Sequence, residues 1–153
     1  MRPRYSFSSR RNRHTENMRK QRGKYPVLIK KIISDSDIIL EIIDARFIEE
    51  TRNLEIEEEI KQQNKQLIYV LNKSDLLLNR GKKFNLFPNI LVSCKNRKDI
   101  RKLRELIKIF SKKIKKSFGE KILVGIIGYP NTGKSSLINL LIGKSSAGVG
   151  SEA

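Results

Sequence analysis

The chain has 153 residues, and its 33 lysines and arginines outnumber its 16 acidic residues, which gives a net charge of +17. This length suits one domain with one hydrophobic core. No apolar run is long enough to span a bilayer, and no apolar segment of a secretory signal follows the basic N-terminus. The single cysteine, Cys94, can form neither an intrachain disulfide nor a zinc site. These features exclude a membrane-spanning protein and favour a reducing compartment, so we expect a cytoplasmic location.

Residues 1–25 are basic and lack the apolar periodicity of a folded segment. We predict a disordered arm, because so few apolar side chains cannot offset the entropy lost on folding. Its cations would bind the phosphates of a nucleic acid, and its aromatic residues favour unpaired RNA, on whose bases they can stack. The alternative is a solubilising tail. The candidate RNA-binding residues are Arg2, Arg4, Arg10, Arg11, Arg13, Arg19, Lys20, Arg22 and Lys24.

Hydrophobic patterning after this arm predicts alternating helices and strands. In chain order they are a helix over residues 27–34, a strand over 38–43, a helix over 53–63, strands over 66–71 and 89–92, a helix over 99–116, a strand over 121–127 and a helix from about 134 to 143. This alternation predicts that residues 26–153 form an α/β domain, a mostly parallel sheet flanked by helices.

The helix predicted over residues 99–116 has an apolar face and a face that carries most of its lysines. The apolar side chains recur at spacings of three and four, as in a helix that packs on a sheet. The lysine-rich face is either a solvated surface or an RNA contact, and the sequence does not decide between them.

A short polar sequence follows each predicted strand. Parallel α/β sheets bind ligands at the carboxyl ends of their strands, so four such sequences can meet in one pocket. They are Asp44-Ala45-Arg46, Asn72-Lys73-Ser74-Asp75, Ser93-Cys94-Lys95 and the loop that begins at Gly128.

The loop of residues 128–135 matches the phosphate-loop pattern G-x-x-x-x-G-K-[ST]. Its glycines allow backbone N–H groups to surround a phosphate chain, and the following helix adds its positive N-terminal dipole. Lys134 would contact the β- and γ-phosphates as the catalytic cation, and Ser135 would ligate Mg²⁺. The alternative is a glycine-rich turn without a ligand. The candidate phosphate-binding residues are Gly128, Tyr129, Pro130, Asn131, Thr132, Gly133, Lys134, Ser135 and Ser136.

Residues 72–75 supply a candidate site for a nucleobase. The Asp75 carboxylate can accept hydrogen bonds from the N1–H and the 2-amino group of guanine, a pair of donors that adenine lacks. The stem of Lys73 would lie along the plane of the base. Alone, this segment is also typical of a helix N-cap. The phosphate loop and the turn at residues 93–95 together favour a guanine site, in which the backbone N–H of Cys94 would matter more than its thiol.

These motifs resemble those of guanine-nucleotide-binding P-loop proteins, and in particular the circularly permuted GTPases of the YlqF/YawG type. An ordinary GTPase has its phosphate loop first, whereas here it follows the N-K-x-D and S-A-K-like segments, which is the permuted order. Asp44-Ala45-Arg46 is similar to the D-A-R segment of that family, although Phe47-Ile48 replaces the polar residue and proline that usually follow. The resemblance covers about residues 24–153. It implies GTP and GDP as ligands, Mg²⁺, a potassium ion near Asn131, and ribosomal RNA or a pre-ribosomal particle as the partner.

The resemblance also implies GTP hydrolysis, but the sequence lacks the switch threonine and the D-x-x-G segment of relatives. We expect both beyond Ala153 in a longer protein, so that residues 26–153 form an incomplete domain whose fourth strand lies at an edge and promotes association. Alone, the chain would hydrolyse GTP slowly or not at all, because positioning groups carry phosphoryl transfer. A second interpretation is an RNA-binding module with an inert nucleotide site. A third, a P-loop kinase or ATPase, has no use for residues 72–75.

Overall fold

The computed structural model describes residues 24–79 and 81–143. The chain divides into two units, Met1–Lys31 and Ile32–Ala153. In the first unit residues 24–31 are helical, and the second contains every strand that the structure describes. The predicted RNA-binding arm at residues 1–25 lies almost entirely outside the described residues.

The described helices and strands alternate as the hydrophobic patterning predicts. In chain order they are α1 (residues 24–35), β1 (Ile38–Asp44), α2 (Ile48–Thr51), α3 (Leu54–Gln62), β2 (Gln66–Asn72), a short 3-10 helix (Ser74–Leu76), β3 (Asn89–Leu91), α4 (Ile100–Lys113), β4 (Val124–Gly128) and α5 (Lys134–Ile142).

The element boundaries agree with the prediction to within one residue, except at three ends that differ by three residues. Residues 24–26 are already helical, although the predicted helix starts at residue 27. Helix α4 ends at Lys113 rather than Lys116, because Ile114 adopts an extended conformation. Strand β4 begins at Val124 rather than Lys121, since pairing with β1 starts only there. Immediately before it, the backbone N–H of Leu123 donates to the carboxylate of Asp37 at 2.8 Å.

The four strands form one parallel sheet with the order β3-β2-β1-β4. All seven residues of β1 are buried, as expected for a strand with neighbours on both sides. The predicted α/β fold is therefore confirmed. Within the described residues β4 pairs with β1 alone and lies at an edge, where Val124 is 38% exposed. Association through this edge stays a prediction.

The two faces of the sheet carry separate hydrophobic clusters. Leu40 and Ile42 of β1 point to the face on which Leu103 of α4 and Leu137 of α5 pack. The alternate residues of β1 point to the opposite face, where Ile43 joins a second cluster. Helix α3 covers this second face. Because residues alternate along a strand, β1 holds both layers in fixed register with the loops at its carboxyl end.

Candidate functional site

The structure brings the four polar sequences together at the carboxyl edge of the sheet. Hydrogen bonds and an ion pair join the different loops. They involve residues as far as 60 positions apart in the chain. The edge is therefore one continuous site built from all four strands.

Asn72 is the residue that connects three of these loops. It is the last residue of β2 and is 2% exposed. Its Nδ2 donates to the carbonyl of Thr132 in the phosphate loop at 2.8 Å, and its Oδ1 accepts from the backbone N–H of Cys94 at 3.2 Å. Both ends of the amide are thus used within the protein. The structure places Asn72 as a residue that positions the loops.

Gly133 approaches this amide so closely that a side chain would not fit. A Cβ atom at this position would lie 2.2 Å from Asn72 Nδ2, and the residue has a φ of +98°, which other residues rarely adopt. Gly128, at the start of the loop, is similarly constrained, since a Cβ there would lie 2.6 Å from the carbonyl oxygen of Ile42. The glycines therefore seat the loop against the ends of β1 and β2.

Lys134 spans the phosphate loop from its position at the start of α5. Its Nζ donates to the carbonyls of Gly128 and Tyr129, at 2.9 and 2.8 Å. Burial lowers the pKa of this amine below its usual value. Thr132, which is buried, closes the loop from inside, because its hydroxyl donates to the Tyr129 carbonyl at 2.8 Å. The remaining predicted phosphate-loop residues line its rim: Pro130, Asn131 and Ser136 are exposed, and Ser135 is half-buried.

Asp75 is held as an ionised acceptor. Its Oδ1 accepts a hydrogen bond from Ser93 Oγ at 2.6 Å, and this bond is the main cause that lowers the pKa of the carboxyl group. The positive charges of Lys95 and Arg46 lower that pKa further. A cavity of about 190 Å³, lined in part by Leu77 and Leu91, opens beside the two bonded side chains. The carboxylate is therefore fixed in orientation and charge.

The turn after β3 is closed by its own backbone. Ser93 and Lys98 exchange two backbone hydrogen bonds, at 3.2 and 3.0 Å, around residues 94–97. Cys94 is half-buried, and burial raises the pKa of its thiol to about 11, so the thiol is protonated at neutral pH. The structure uses the N–H of Cys94 as a donor to Asn72. Of the predicted base-site residues, Ser74 is half-buried at the start of the 3-10 helix and Lys95 is exposed.

The carboxyl end of β1 carries Asp44 and Arg46, which the sequence placed in one of the four converging polar segments without assigning either of them a role. Asp44 is 4% exposed and forms ion pairs with Arg46 at 2.8 Å and with Lys73 at 3.0 Å. The hydrogen bonds from Arg46 are the main cause that lowers the pKa of Asp44. The signal in the sequence was the position of an acid at the carboxyl end of an apolar strand, where a parallel sheet gathers functional groups.

Comparison with known proteins agrees with the geometry of the phosphate loop. Residues 123–153 match the family described as 50S ribosome-binding GTPase. The segment is that of a P-loop GTPase. This segment contains β4, the loop with Lys134, and α5, so the comparison supports a P-loop GTPase at this place in the chain. The roles expected of the individual residues 128–136 stay predictions.

Longer stretches of the chain are similar to GTP-binding proteins. An uncharacterised GTP-binding protein of Methanocaldococcus jannaschii is 47% identical over 136 residues, which cover 85% of this chain and 36% of that protein. The GTPase Grn1 of Schizosaccharomyces pombe is 35% identical over 150 residues, 83% of this chain and 32% of Grn1. The nuclear GTP-binding protein Nug1 of Saccharomyces cerevisiae is 38% identical over 150 residues, 83% of this chain and 28% of Nug1. The chain spans about a third of the length of these relatives.

In the part of the chain that the structure describes, no helix is both long and apolar enough to cross a membrane. The predicted cytoplasmic location is not tested by this finding.

Proposed function

We propose that the chain is the guanine-nucleotide-binding part of a circularly permuted GTPase that acts in ribosome assembly. The observation that carries the proposal is the position of Asn72, whose amide joins the segment of Asp75, the turn at Cys94 and the phosphate loop at Thr132. A base-reading loop and a phosphate-binding loop are thereby held at a fixed distance. Such an arrangement suits a ligand with a base at one end and phosphates at the other.

The phosphate end would be bound by residues 128–136. The Lys134 amine donates to two neutral carbonyls, and phosphate oxygens would offer it stronger, charge-assisted hydrogen bonds. Among the described residues no cluster of three or more His, Cys, Asp or Glu could hold a metal, so Mg²⁺ would rest on Ser135 and the phosphates themselves. The ion would neutralise developing phosphate charge. Asn131, exposed and with a φ of +63°, is the proposed potassium ligand.

The guanine end would be read by Asp75. Its ionised carboxylate, held by Ser93, has acceptor capacity left for the N1–H and 2-amino donors of guanine. Adenine presents no such pair of donors, so ATP would leave the acceptor positions that Ser93 does not use without partners. A polar site that loses its partners in this way discriminates strongly between ligands.

The order of the motifs and the names of relatives support the finer parts of the proposal. The N-K-x-D-like segment follows β2, whereas the phosphate loop follows β4, and this is the permuted order. Grn1 is named a GTPase, and Nug1 is named a nuclear GTP-binding protein. We propose a pre-ribosomal particle and its RNA as the partner, with the basic segments as the contact. Hydrolysis by this chain and its location in the cytoplasm stay predictions.

Displacement of a fluorescent GDP derivative from the whole chain, in the presence of Mg²⁺, tests the nucleotide site. We expect GTP and GDP to displace it and ATP to require at least about 100-fold higher concentration. Lys134→Met should abolish binding, because it removes the loop cation. Lys102→Met, at an exposed position of α4 that pairs with Asp99, is the matched control and should bind normally. Equal displacement by ATP and GTP would contradict the guanine assignment.

An RNA-binding module with an inert nucleotide site is the second candidate, and the distribution of charge favours it. Residues 97–123, which include α4, contain eleven lysines and arginines and three acids. Residues 49–59, which include most of α3, contain six acids and one arginine. These helices cover opposite faces of the sheet. A polyanion would therefore be attracted to the α4 side.

Deletion of residues 1–25 tests the predicted arm. If the arm binds phosphates, the deletion should weaken RNA binding and flatten its dependence on salt, because fewer counterions are released. An unchanged salt slope would make the arm a solubilising tail. Intact RNA binding by a chain that binds no nucleotide would favour the second candidate over the first.

A further inference from the structure

Asp44 occupies a fixed position between the two ends of the proposed nucleotide site. It is the last residue of β1, the central strand, and lies in register with Asn72 of β2. It is 4% exposed, and its backbone N–H donates to the hydroxyl of Thr51 at 3.0 Å. The backbone that carries this carboxylate is therefore held by the pairing of β1 and by Thr51.

Two cations share this carboxylate. Arg46 donates from its Nε to Oδ1 at 3.0 Å and from an Nη to Oδ2 at 2.8 Å, and its backbone N–H also donates to Oδ1 at 3.0 Å. Lys73 places its Nζ 3.0 Å from Oδ2. The carboxylate of Asp44 is therefore fully engaged, and the ammonium of Lys73 is anchored on the neighbouring strand.

Lys73 itself belongs to the loop that contains Asp75. Its backbone is in the left-handed region, with a φ of 61°, directly after β2. Its side chain is 29% exposed, so the stem is half-buried while the ammonium is held at Asp44. An unrestrained lysine would lose much rotamer entropy on ordering against a ligand. A lysine that is already held loses little.

We propose that Asp44 is a positioning residue for guanine nucleotide: it anchors the ammonium of Lys73 and thereby orders the lysine stem against the base before the nucleotide arrives. This inference rests on the proposed nucleotide site and deepens it. Asp44 touches no part of the ligand and acts through Lys73.

A double-mutant cycle on the whole chain, with fluorescent GDP as the probe, tests this role. Asp44→Asn removes the charge and should weaken GDP binding about fivefold or more, because Lys73 becomes mobile. Lys73→Met should weaken it at least as much. The double variant should bind no worse than Lys73→Met alone, since Asp44 acts only through the lysine. Asp35→Asn, the same substitution at an exposed position of α1, is the control and should change the affinity less than about twofold.

The outcomes separate this inference from the proposed function. Failure of the unchanged chain to bind GDP would overturn both. Normal GDP binding by Asp44→Asn, or additive losses in the double variant, would overturn the positioning role alone and leave the nucleotide site in place.

A second measurement does not depend on the folding of Asp44→Asn. Acetylation of lysines in the unchanged, nucleotide-free chain can be followed by mass spectrometry. We expect Lys73 to react at least about tenfold more slowly than the exposed Lys108 of α4, because its amine is paired and half-buried. Equal rates would show a lysine that is not ordered in advance and would overturn the inference.

Discussion

Gly133 of the phosphate loop lies so close to Asn72 that it has no room for a side chain. A Cβ there would lie 2.2 Å from Asn72 Nδ2. Gly133→Ala should therefore displace the amide, break its hydrogen bond to Thr132 and weaken binding of fluorescent GDP by at least about 100-fold, as expected when loops of a binding site lose their alignment. The same titration used for the unchanged chain measures this.

Gly143 provides a matched control for that substitution. It also has a positive φ, 75°, but a Cβ there meets nothing within 4 Å among the described residues. Both alanine variants bear the cost of about 1–2 kcal/mol for a left-handed backbone, so their difference isolates the close approach. If Gly143→Ala weakened GDP binding as much as Gly133→Ala does, the contact with Asn72 would have no special role.

Single residues show clearly what the sequence could and could not predict. The G-x-x-x-x-G-K-[ST] pattern predicted the phosphate loop, because the chemistry of a phosphate site requires those residues in consecutive order. It did not predict that both ends of the Asn72 amide form hydrogen bonds within the protein, since the bond to Thr132 joins residues 60 positions apart. The same holds for Asp44, whose partner Lys73 lies in the loop after β2, 29 positions later in the chain.

At the scale of the element, β1 contains a buried acid in the middle of an apolar strand. Glu41 is 1% exposed; its Oε1 accepts from the backbone N–H of Asn53 at 2.9 Å, and its Oε2 has no hydrogen-bond partner among the described residues. Burial, helped by the charge of Glu57, raises the pKa of Glu41 to about 7. Glu57 itself is paired with Arg52 and accepts from the hydroxyl of Tyr69.

This raised pKa predicts a loss of stability as the pH increases. Between the unfolded value of about 4.5 and the folded value of about 7, the native state binds more protons than the unfolded chain, so the free energy of unfolding falls with rising pH. Glu41→Gln should remove most of this fall and be more stable than the unchanged chain above pH 7, by about 1–3 kcal/mol. Urea unfolding at pH 5, 6, 7 and 8 measures the effect.

The exposed Glu58 of α3 provides the control for this test. Glu58→Gln removes one carboxylate close to the same network but should leave the dependence of stability on pH unchanged. Parallel curves for the unchanged chain and Glu41→Gln would show that the buried carboxyl group does not titrate in this range.

Elements were predictable where the hydrophobic pattern is long. The helix that became α4 was predicted from six apolar residues at helical spacing; its start differs by one residue and its end by three. Helix α2 has four residues and no buried side chain, so it left no periodic signal. Asn53 caps α3, since its side chain accepts from the N–H of Ile56. The position of a helix end therefore depends on packing against β1 and not on propensity alone.

At the scale of the whole molecule, the sheet separates a basic face from an acidic one, and this predicts where RNA binds. Replacement of Lys108, Lys112 and Lys115 by glutamine should weaken binding of single-stranded RNA and reduce the slope of log affinity against log salt by about 2, if all three contact phosphates. The measurement is a salt titration with a labelled oligonucleotide and the whole chain.

The matched control removes the same charge elsewhere. Lys61, Lys82 and Lys83 are exposed and lie outside residues 97–123, so their replacement by glutamine lowers the net charge equally. This control should leave the salt slope nearly unchanged. Equal slopes for both triple variants would mean that only total charge matters and that the α4 face has no specific contact.

The architecture followed from the sequence because strands and helices alternate and each strand ends in a polar segment, which predicts a parallel sheet with one functional edge. Within the described residues, the position of β4 at an edge also agrees with the expected strand order. The separation of basic and acidic residues between the two faces of the sheet could not be predicted from the sequence, because it depends on the side of the sheet on which each helix packs.

The central claim is that Asp75 reads guanine, and exchange of the preferred base tests it most directly. Asp75→Asn keeps the shape of the side chain but lets it donate to the 2-carbonyl of xanthine. GDP binding should weaken about 10- to 100-fold, which corresponds to the free energy of hydrogen bonds to a charged group. Binding of xanthosine diphosphate (XDP) should become tighter. The result predicted is a reversal of preference from GDP to XDP in parallel titrations; an unchanged preference for GDP in the variant would contradict the account.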